Sequence, residues 1–355
     1  MTRQLEVPGV LSAEQLACTG QFIALQQSAD GGIPWFEGGH LDPWDHVESA
    51  MGLSVTGHHA AALAAFDYLA RTQRADGSWP MEVRAHVVVN KSADTNQCLY
   101  IATGVWHHFL VTGDVDMLER FWPTIERALR FAQSAQLESG ALAWAVSEVG
   151  VVQDFALVTG NSSAALSLEC AVLIAERLGR DRPAWRSLRD SVHHALRTAP
   201  ELFADRDRFS MDWYYPVLCG SFRDDAGRAR VMSDWGRFVW ADRGTRCVDD
   251  QPWITAAETA ELVATLDALG ERDVAVTMFA DVQFLRHEES GGYWTGRNIP
   301  QDLLFPVERT TWSAAAVLLA ADALTQTTGG AALFRNAGST SARRTPALDV
   351  LPTLR

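Results

Sequence analysis

The segment Cys247-Val248-Asp249-Asp250-Gln251-Pro252-Trp253-Ile254-Thr255-Ala256-Ala257-Glu258-Thr259-Ala260-Glu261-Leu262 opens as helices open, with acids and then Pro252 in the expected first turn. It continues as an apolar helix through Val263, Leu266 and Leu269, with Glu258 and Glu261 past any capping position. A helix of this composition has no polar face to offer solvent, and a carboxylate inside it is costly unless it has a task. The segment reads as a helix covered on all sides.

Working outward, the same kind of helix recurs. Cys98–Val111, Ala164–Ala175 and Trp312–Leu324 are apolar nearly all round. His46–Val55 is a shorter case, and Met211–Phe222 a weaker one, because Pro216 should kink or shorten it. Between them stand amphipathic helices: Ala13–Gln27, His59–Gln73, Val115–Gln133, Pro183–Arg197, Glu271–Leu285 and a weaker Ala226–Phe238. In Val115–Gln133, Leu118, Phe121, Trp122, Ile125 and Leu129 face one side, and Glu119, Arg120, Glu126 and Arg130 the other. Strand alternation is nearly absent. Six alternations of half-exposed and fully covered helices describe an all-α fold, an (α/α)6 barrel. A closed ring hides every inner helix, whereas an open solenoid leaves exposed faces and ends.

A shorter repeat supports the ring. Asp30-Gly31-Gly32 with Trp35, Asp76-Gly77-Ser78-Trp79, Ser139-Gly140 with Trp144, and Ser290-Gly291-Gly292-Tyr293-Trp294 each place an acid or Ser, then Gly, then Trp after an outer helix. Glycine ends the helix, and the aromatic is expected near the ring's mouth. The barrel is expected to be a single catalytic domain over residues 1–327. Residues 328–355 lose the periodicity and read as a loosely structured tail.

The chain has 355 residues, 47% of them hydrophobic, enough for one large core. Its net charge of −14, without a basic stripe, argues against nucleic acid and anionic membranes as partners. Five cysteines without a Cys-x-x-Cys pair read as reduced core thiols. The start, MTRQLEVPGVLSAEQL, lacks the apolar run of a signal peptide, and no stretch reaches the roughly 18 apolar residues of a membrane span. A cytoplasmic location is expected. The 13 tryptophans suggest stacking surfaces as well as core.

Every inner helix opens on a polar cluster: Asp42-Pro43-Trp44-Asp45 with Glu48; Ser92 to Gln97, including Asp94 and Asn96; Thr159 to Ser163; Asp212-Trp213-Tyr214-Tyr215; Asp249 to Trp253 with Glu258; and Glu308 to Trp312. One capping oxygen per helix would suffice. In a ring of hairpins all six starts face one end, so the mouth is acidic, aromatic and rich in hydrogen-bonding groups. That suits a neutral polyol such as a saccharide. Glycoside hydrolysis needs a carboxylic acid and an ionised partner. The candidate pair is Asp45 and Glu258, with Asp42 and Glu48 as rivals of Asp45 and Glu261 as rival of Glu258. Trp35, Asp42, Trp44, Glu48, Asp94, Asn96, Asp212, Trp213, Asp250, Trp253 and Glu308 are the candidate substrate contacts. Adjacent histidines (58–59, 107–108, 193–194) point in different directions and do not make a zinc site, and there is no glycine-rich phosphate loop. No metal or cofactor is expected.

Three resemblances follow from these motifs. The Gly77-Ser78-Trp79 and Gly291-Gly292-Tyr293-Trp294 turns resemble the repeat of squalene cyclases and protein prenyltransferases, which are α/α toroids, although the Asp-x-Asp-Asp and Asp-Asp-x-x-Asp motifs are missing. Glu308–Ala316, Asp94-Thr95-Asn96 and Leu157–Ser163 resemble ring-mouth segments of (α/α)6 glycosidases of the glucoamylase and trehalase type, although no acid follows Trp144 directly and Glu148 is the nearest. Asp42-Pro43-Trp44-Asp45 and Gln251–Glu258 resemble an actinobacterial group often labelled prenyltransferase-like, which includes the mycobacterial methylmannose polysaccharide hydrolases, endo-acting α-mannosidases. This likeness covers about residues 1–327. It implies a glycoside hydrolase of α-linked (α-1,4), mannose-containing, methylated oligo- or polysaccharide; the carboxylate pair is expected to invert if its members stand roughly 6.5–9.5 Å apart, and to retain if nearer 5 Å. The alternatives are an isoprenoid cyclase or transferase, a sugar epimerase or lyase using histidine pairs, and a saccharide-binding protein.

Overall fold

The computed structural model describes residues 4–338. Its helices are α1 (Ala13–Gln26), α2 (Pro43–Val55), α3 (His59–Thr72), α4 (Thr95–Thr112), α5 (Val115–Ser134), α6 (Val158–Arg177), α7 (Pro183–Thr198), α8 (Ser210–Leu218), α9 (Asp224–Ser233), α10 (Trp235–Phe238), α11 (Ala256–Ala268), α12 (Arg272–Asp281) and α13 (Thr311–Thr325). Helices α2, α4, α6, α8, α11 and α13 pack each on the next, and α13 packs back on α2, so the inner ring is closed. Helices α1, α3, α5, α7, α9 and α12 lie outside, each preceding its inner partner. The fold is the (α/α)6 barrel that the alternation implied. In α13 every residue from Ala314 to Leu324 is buried, whereas α5 keeps Glu119 and Arg120 in solvent. Helix α6 is long and apolar enough to cross a membrane by length and composition, the one such helix among the described residues, but most of it is buried inside the barrel.

Several helices start or stop elsewhere than the pattern suggested: α6 begins at Val158, six residues before Ala164, and the expected Ala226–Phe238 breaks into α9 and α10 at Asp234. The fourth inner helix ends at Leu218, one turn short, with Pro216 in its last turn. The fifth begins at Ala256 and not at Pro252, because Trp253–Thr255 forms a strand. Ile254 and Thr255 are β-branched and pair well in an extended ladder. Glu258 is therefore in the first turn of α11, and only Glu261 is a full turn inside it.

The glycine turns close the outer ring. Gly31 (φ 95°) and Gly77 (φ 96°) hold a backbone conformation that L side chains rarely adopt. A Cβ at Gly31 would lie 2.2 Å from the carbonyl oxygen of Ala64 on α3, and one at Gly77 2.1 Å from that of Arg127 on α5. A glutamine four residues earlier clamps each turn. The Gln27 amide donates to the carbonyls of Gly31 and Ala61, and that of Gln73 to those of Gly77 and Thr124, at 2.9–3.0 Å. The tryptophans of these turns do not all go to the mouth. Trp79 is buried in the core, its Nε1 donating to the Leu69 carbonyl at 2.9 Å.

Short strands line the chain's entries to the inner helices. β1 (His40–Leu41), β2 (Glu82–Arg84) and β3 (Val87–Asn90) form one antiparallel sheet, and β4 (Ala93–Asp94) pairs with β5 (Ala145–Val146). β6 (Val239–Trp240) pairs with β7 (Gly244–Thr245). β8 (Trp253–Thr255) is joined to β9 (Gly296–Asn298) and then β10 (Leu303–Leu304).

The expected tail boundary at residue 328 needs correction. Thr328 bonds Asp322 through its amide and hydroxyl, Ala337 accepts from Trp106 Nε1 at 2.8 Å, and Arg335 pairs with the buried Asp267. Leu333 is buried and Phe334 accepts from Arg223. Residues 328–338 thus belong to the folded barrel, anchored by polar contacts that hydropathy does not register; the remainder of the proposed tail lies outside the described residues.

Candidate active site

The starts of five inner helices surround a cavity of about 560 Å³. On α2, Asp42 is the cap. One carboxylate oxygen accepts from the amides of Trp44 and Asp45 at 2.9 and 3.1 Å, and the other from Trp35 Nε1 at 2.7 Å. This carboxylate is occupied in fixing the helix start and one aromatic wall, which sets it aside as a rival of Asp45. Pro43 occupies the first helical position, so Asp45 is the third residue of α2 and Glu48 the sixth. On α11, Glu258 is likewise the third residue and Glu261 the sixth. Both pairs are one turn apart on the same helix face. Asp45, Glu48, Glu258 and Glu261 all line the cavity.

Among the described residues, none of these four acids has a salt bridge, and Arg206 is the one cation lining the cavity. Tyr214 and Tyr215 each donate a phenol to one oxygen of Glu261, Tyr215 at 2.5 Å, and Tyr100 donates to Glu48 at 3.4 Å. Burial raises the Asp45 carboxyl well above its ordinary range, and Asp42, Glu48 and Glu261 add to the rise. Burial likewise raises Glu48 to about 8, with the Tyr100 bond opposing. Glu261 is raised well above its ordinary range by burial and by Glu48, against the pull of its two tyrosines. With Glu48 raised to about 8, the cavity holds at least this one carboxylic acid at neutral pH. The Cys247 thiol faces Glu258, whose charge, with burial, pushes the thiol up.

The walls are aromatic. Trp44 stands edge-on to Tyr100 and Tyr215, and Trp253 packs on Phe305 with ring centroids 5.0 Å apart. Trp35 and Trp312 close the side formed by α13, near Glu308. The buried atoms Trp44 Nε1, Gln97 Oε1, Thr255 Oγ1 and Trp312 Nε1 have no protein partner, and all four residues line the cavity. Such atoms suit a ligand rich in hydroxyls and ether oxygens. Among the described residues, no group of three or more His, Cys, Asp or Glu side chains is arranged to hold a metal, and no histidine lines the cavity.

Trp35, Asp42, Trp44, Asp45, Glu48, Trp253, Glu258 and Glu308 are thus brought together as the sequence suggested. Five other candidate contacts lie outside the cavity lining, four of them with a local task. Asp94 caps α4, its pKa raised by burial to about 6. Asn96 is buried behind it. Asp212 bonds Thr159 at the start of α6, and Trp213 stacks on Phe238 and donates to the Arg230 carbonyl; both face a separate cavity. Asp250 is exposed and paired with Arg208. Sequence reasoning passed over Gln97, Met211, Tyr215 and Phe305 as site residues. Gln97 and Tyr215 stood in the polar clusters already noticed, but Phe305 lies in a segment with no periodicity to mark it.

No protein-family model matches the chain. The MMP endo-(1,4)-3-O-methyl-alpha-D-mannosidase of Mycolicibacterium hassiacum is 49% identical to it over 329 residues, 93% of this chain and 91% of that protein. The chain belongs to this mannosidase family. It is a glycoside hydrolase, and family membership sets aside the isoprenoid, epimerase and binding-only alternatives. Solved structures share the fold of this mannosidase-family chain. A wild-type glycosidase superposes with a TM-score of 0.70 at 15% identity, covering 88% of this chain and 96% of its own. A D-mannose isomerase gives 0.65 at 10% identity over 87% and 96%. A rhamnosidase from Klebsiella oxytoca, with rhamnose bound, gives 0.61 at 16% identity over 88% and 64%. At these identities the likeness is one of architecture.

Proposed function

We propose that the protein cleaves internal α-(1→4) linkages of an O-methylated mannose polysaccharide, with Asp45 as general acid and Glu258 as the base that activates water. The observation that carries this reading is the convergence of Asp45 and Glu258, in the same register on two inner helices, on one aromatic cavity of a chain 49% identical to an endo-mannosidase. Burial and the neighbouring acids raise the Asp45 carboxyl well above its ordinary range, which suits it to pass a proton to the glycosidic oxygen as the C–O bond breaks. Water attacks the anomeric carbon from the other side and yields its proton to Glu258. Helices α2 and α11 are not neighbours in the ring, since α13 stands between them and packs on both. That arrangement favours carboxyls far enough apart to admit a water, hence inversion. The apolar wall of Trp253, Phe305, Pro306 and Met211 suits methyl ethers, which cannot donate hydrogen bonds and gain from apolar cover.

The test uses a 3-O-methylated and an unmethylated α-(1→4)-mannan, with mass spectrometry of the products and proton NMR of the first anomer released. Internal fragments with inverted anomeric configuration are expected from the methylated polymer. Asp45→Asn and Glu258→Gln should each lower kcat by about 10²–10⁴ without lowering Tm. Full activity in both variants, or retained configuration, would refute the assignment.

A further inference from the structure

The sixth residue of each inner helix forms a layer beneath the cavity: Glu48 on α2, Tyr100 on α4, Ser163 on α6, Tyr215 on α8, Glu261 on α11 and Ala316 on α13. All six line one small enclosed void of about 10 Å³. Two of the six are carboxyls and two are phenols, and the phenols donate to the carboxyls. Tyr214, next to Tyr215 on α8, donates to the second oxygen of Glu261. Each carboxyl lies one helical turn below a member of the proposed catalytic pair.

We infer that Glu48 and Glu261 are positioning residues, a second tier of carboxyls whose phenol-bound charge sets how tightly Asp45 holds its proton. The inference rests on Asp45 being the general acid. Two carboxylates in one buried layer repel each other, and either, when ionised, opposes ionisation of Asp45 above it. The tyrosines decide where that charge rests. Glu261 receives two phenol donors and Glu48 one, so a charge on either carboxyl is held by hydrogen bonds, more firmly on Glu261, and a charge on either opposes ionisation of Asp45. Burial raises all three carboxyls, and Glu48 and Glu261 both add to the rise of Asp45.

The other groups facing the layer do not supply a compensating cation. They are Asp42 from α2, Asp94 at the start of α4, Cys219 from α8, Glu258 and Cys247 on the α11 side, and Glu308 before α13. Arg206 stands at the rim beside the Phe209 ring, and Arg223 below turns to the carbonyls of Val217 and Phe334. Tyr214 and Tyr215, like Tyr100, stay protonated because burial raises them.

The experiment titrates the protein without substrate, by carbon-13 NMR of labelled Asp and Glu carboxyls, with the Asp45 signal assigned by its loss in Asp45→Asn. In the wild type the Asp45 carboxyl is expected to titrate well above the ordinary aspartate range. In Glu261→Gln it should titrate lower, by on the order of one pH unit for removal of one like charge several ångströms away. Glu48→Gln should shift it the same way. Tyr215→Phe, which weakens the hold on the Glu261 anion and is the milder change if a carboxyl variant fails to fold, should shift it the same way by less. An Asp45 titration unchanged in Glu261→Gln and Glu48→Gln, or raised in Tyr215→Phe, overturns the inference. So does a folded Glu261→Gln as inactive at every pH as Asp45→Asn, because Glu261 would then touch the reacting atoms. A wild type that cleaves no mannan would sink the functional reading while leaving the titration result standing.

Discussion

Glu48→Gln should make the protein more stable as pH rises, relative to wild type. Glu48 is 3% exposed and lacks a cation partner among the described residues. Its carboxyl is raised from an ordinary 4.5 to about 8, chiefly by burial. A raised acid favours folding while protonated in both states, and that advantage disappears as pH climbs from the unfolded value through the folded one. The interval from 4.5 to about 8, at about 1.4 kcal/mol per pH unit, comes to about 5 kcal/mol for this one group. The loss begins near pH 4.5 and is complete a little above pH 8. Glutamine keeps an oxygen for the Tyr100 phenol and has no charge to bury. Its amide introduces a new buried donor costing about 1–3 kcal/mol, but that cost does not depend on pH. The assay is urea unfolding of both proteins at intervals from pH 4.5 to 9, read as the difference between them. The difference should move toward the variant by about 3–5 kcal/mol across the window. Parallel curves would show that the charge is compensated in the fold and would refute the account of an unpaired acid tier.

Phe305 is 62% exposed at the cavity wall against Trp253. Phe305→Ala should cost about fourfold in kcat/KM for each methyl group that loses apolar cover, from about 0.8 kcal/mol per buried carbon, and less on unmethylated mannan; competition assays with the two polymers would show it, and equal losses would contradict it. Gly77→Ala should destabilise the barrel by at least about 3 kcal/mol, combining the cost of a left-handed alanine with displacement of a turn held by two Gln73 bonds; urea unfolding giving less than about 1 kcal/mol would show that the turn moves freely.

Much of the architecture was legible because ring closure leaves a mark in composition. A helix such as Thr311–Thr325, covered on every side, can be apolar all round, whereas Val115–Ser134 must keep charges on one face. The site was legible only in part. Asp42, Asp94 and Asp212 are the same kind of residue in the same kind of cluster, yet they cap one helix beside the cavity, cap another behind it, and bond a neighbouring helix at a separate hollow. A side chain's direction depends on the helix's rotation about its own axis, and that is set by packing against both neighbours in the ring. The start of α11 shows the same limit. Asp249-Asp250-Gln251-Pro252 has every local sign of a helix start, but pairing of Trp253–Thr255 with β9, a segment more than forty residues distant, moved the start to Ala256.

The sequence by itself determined the alternation of covered and half-covered helices, hence the closed double ring, and the presence of carboxylates among its inner helices. Only the tertiary structure decided that Asp45 and Glu258 share one register, that Glu48 and Glu261 share the next, and that phenols from two other helices hold the lower pair. Periodicity along a chain records how much of each helix is covered, while alignment between helices depends on contacts across the ring that no local pattern encodes.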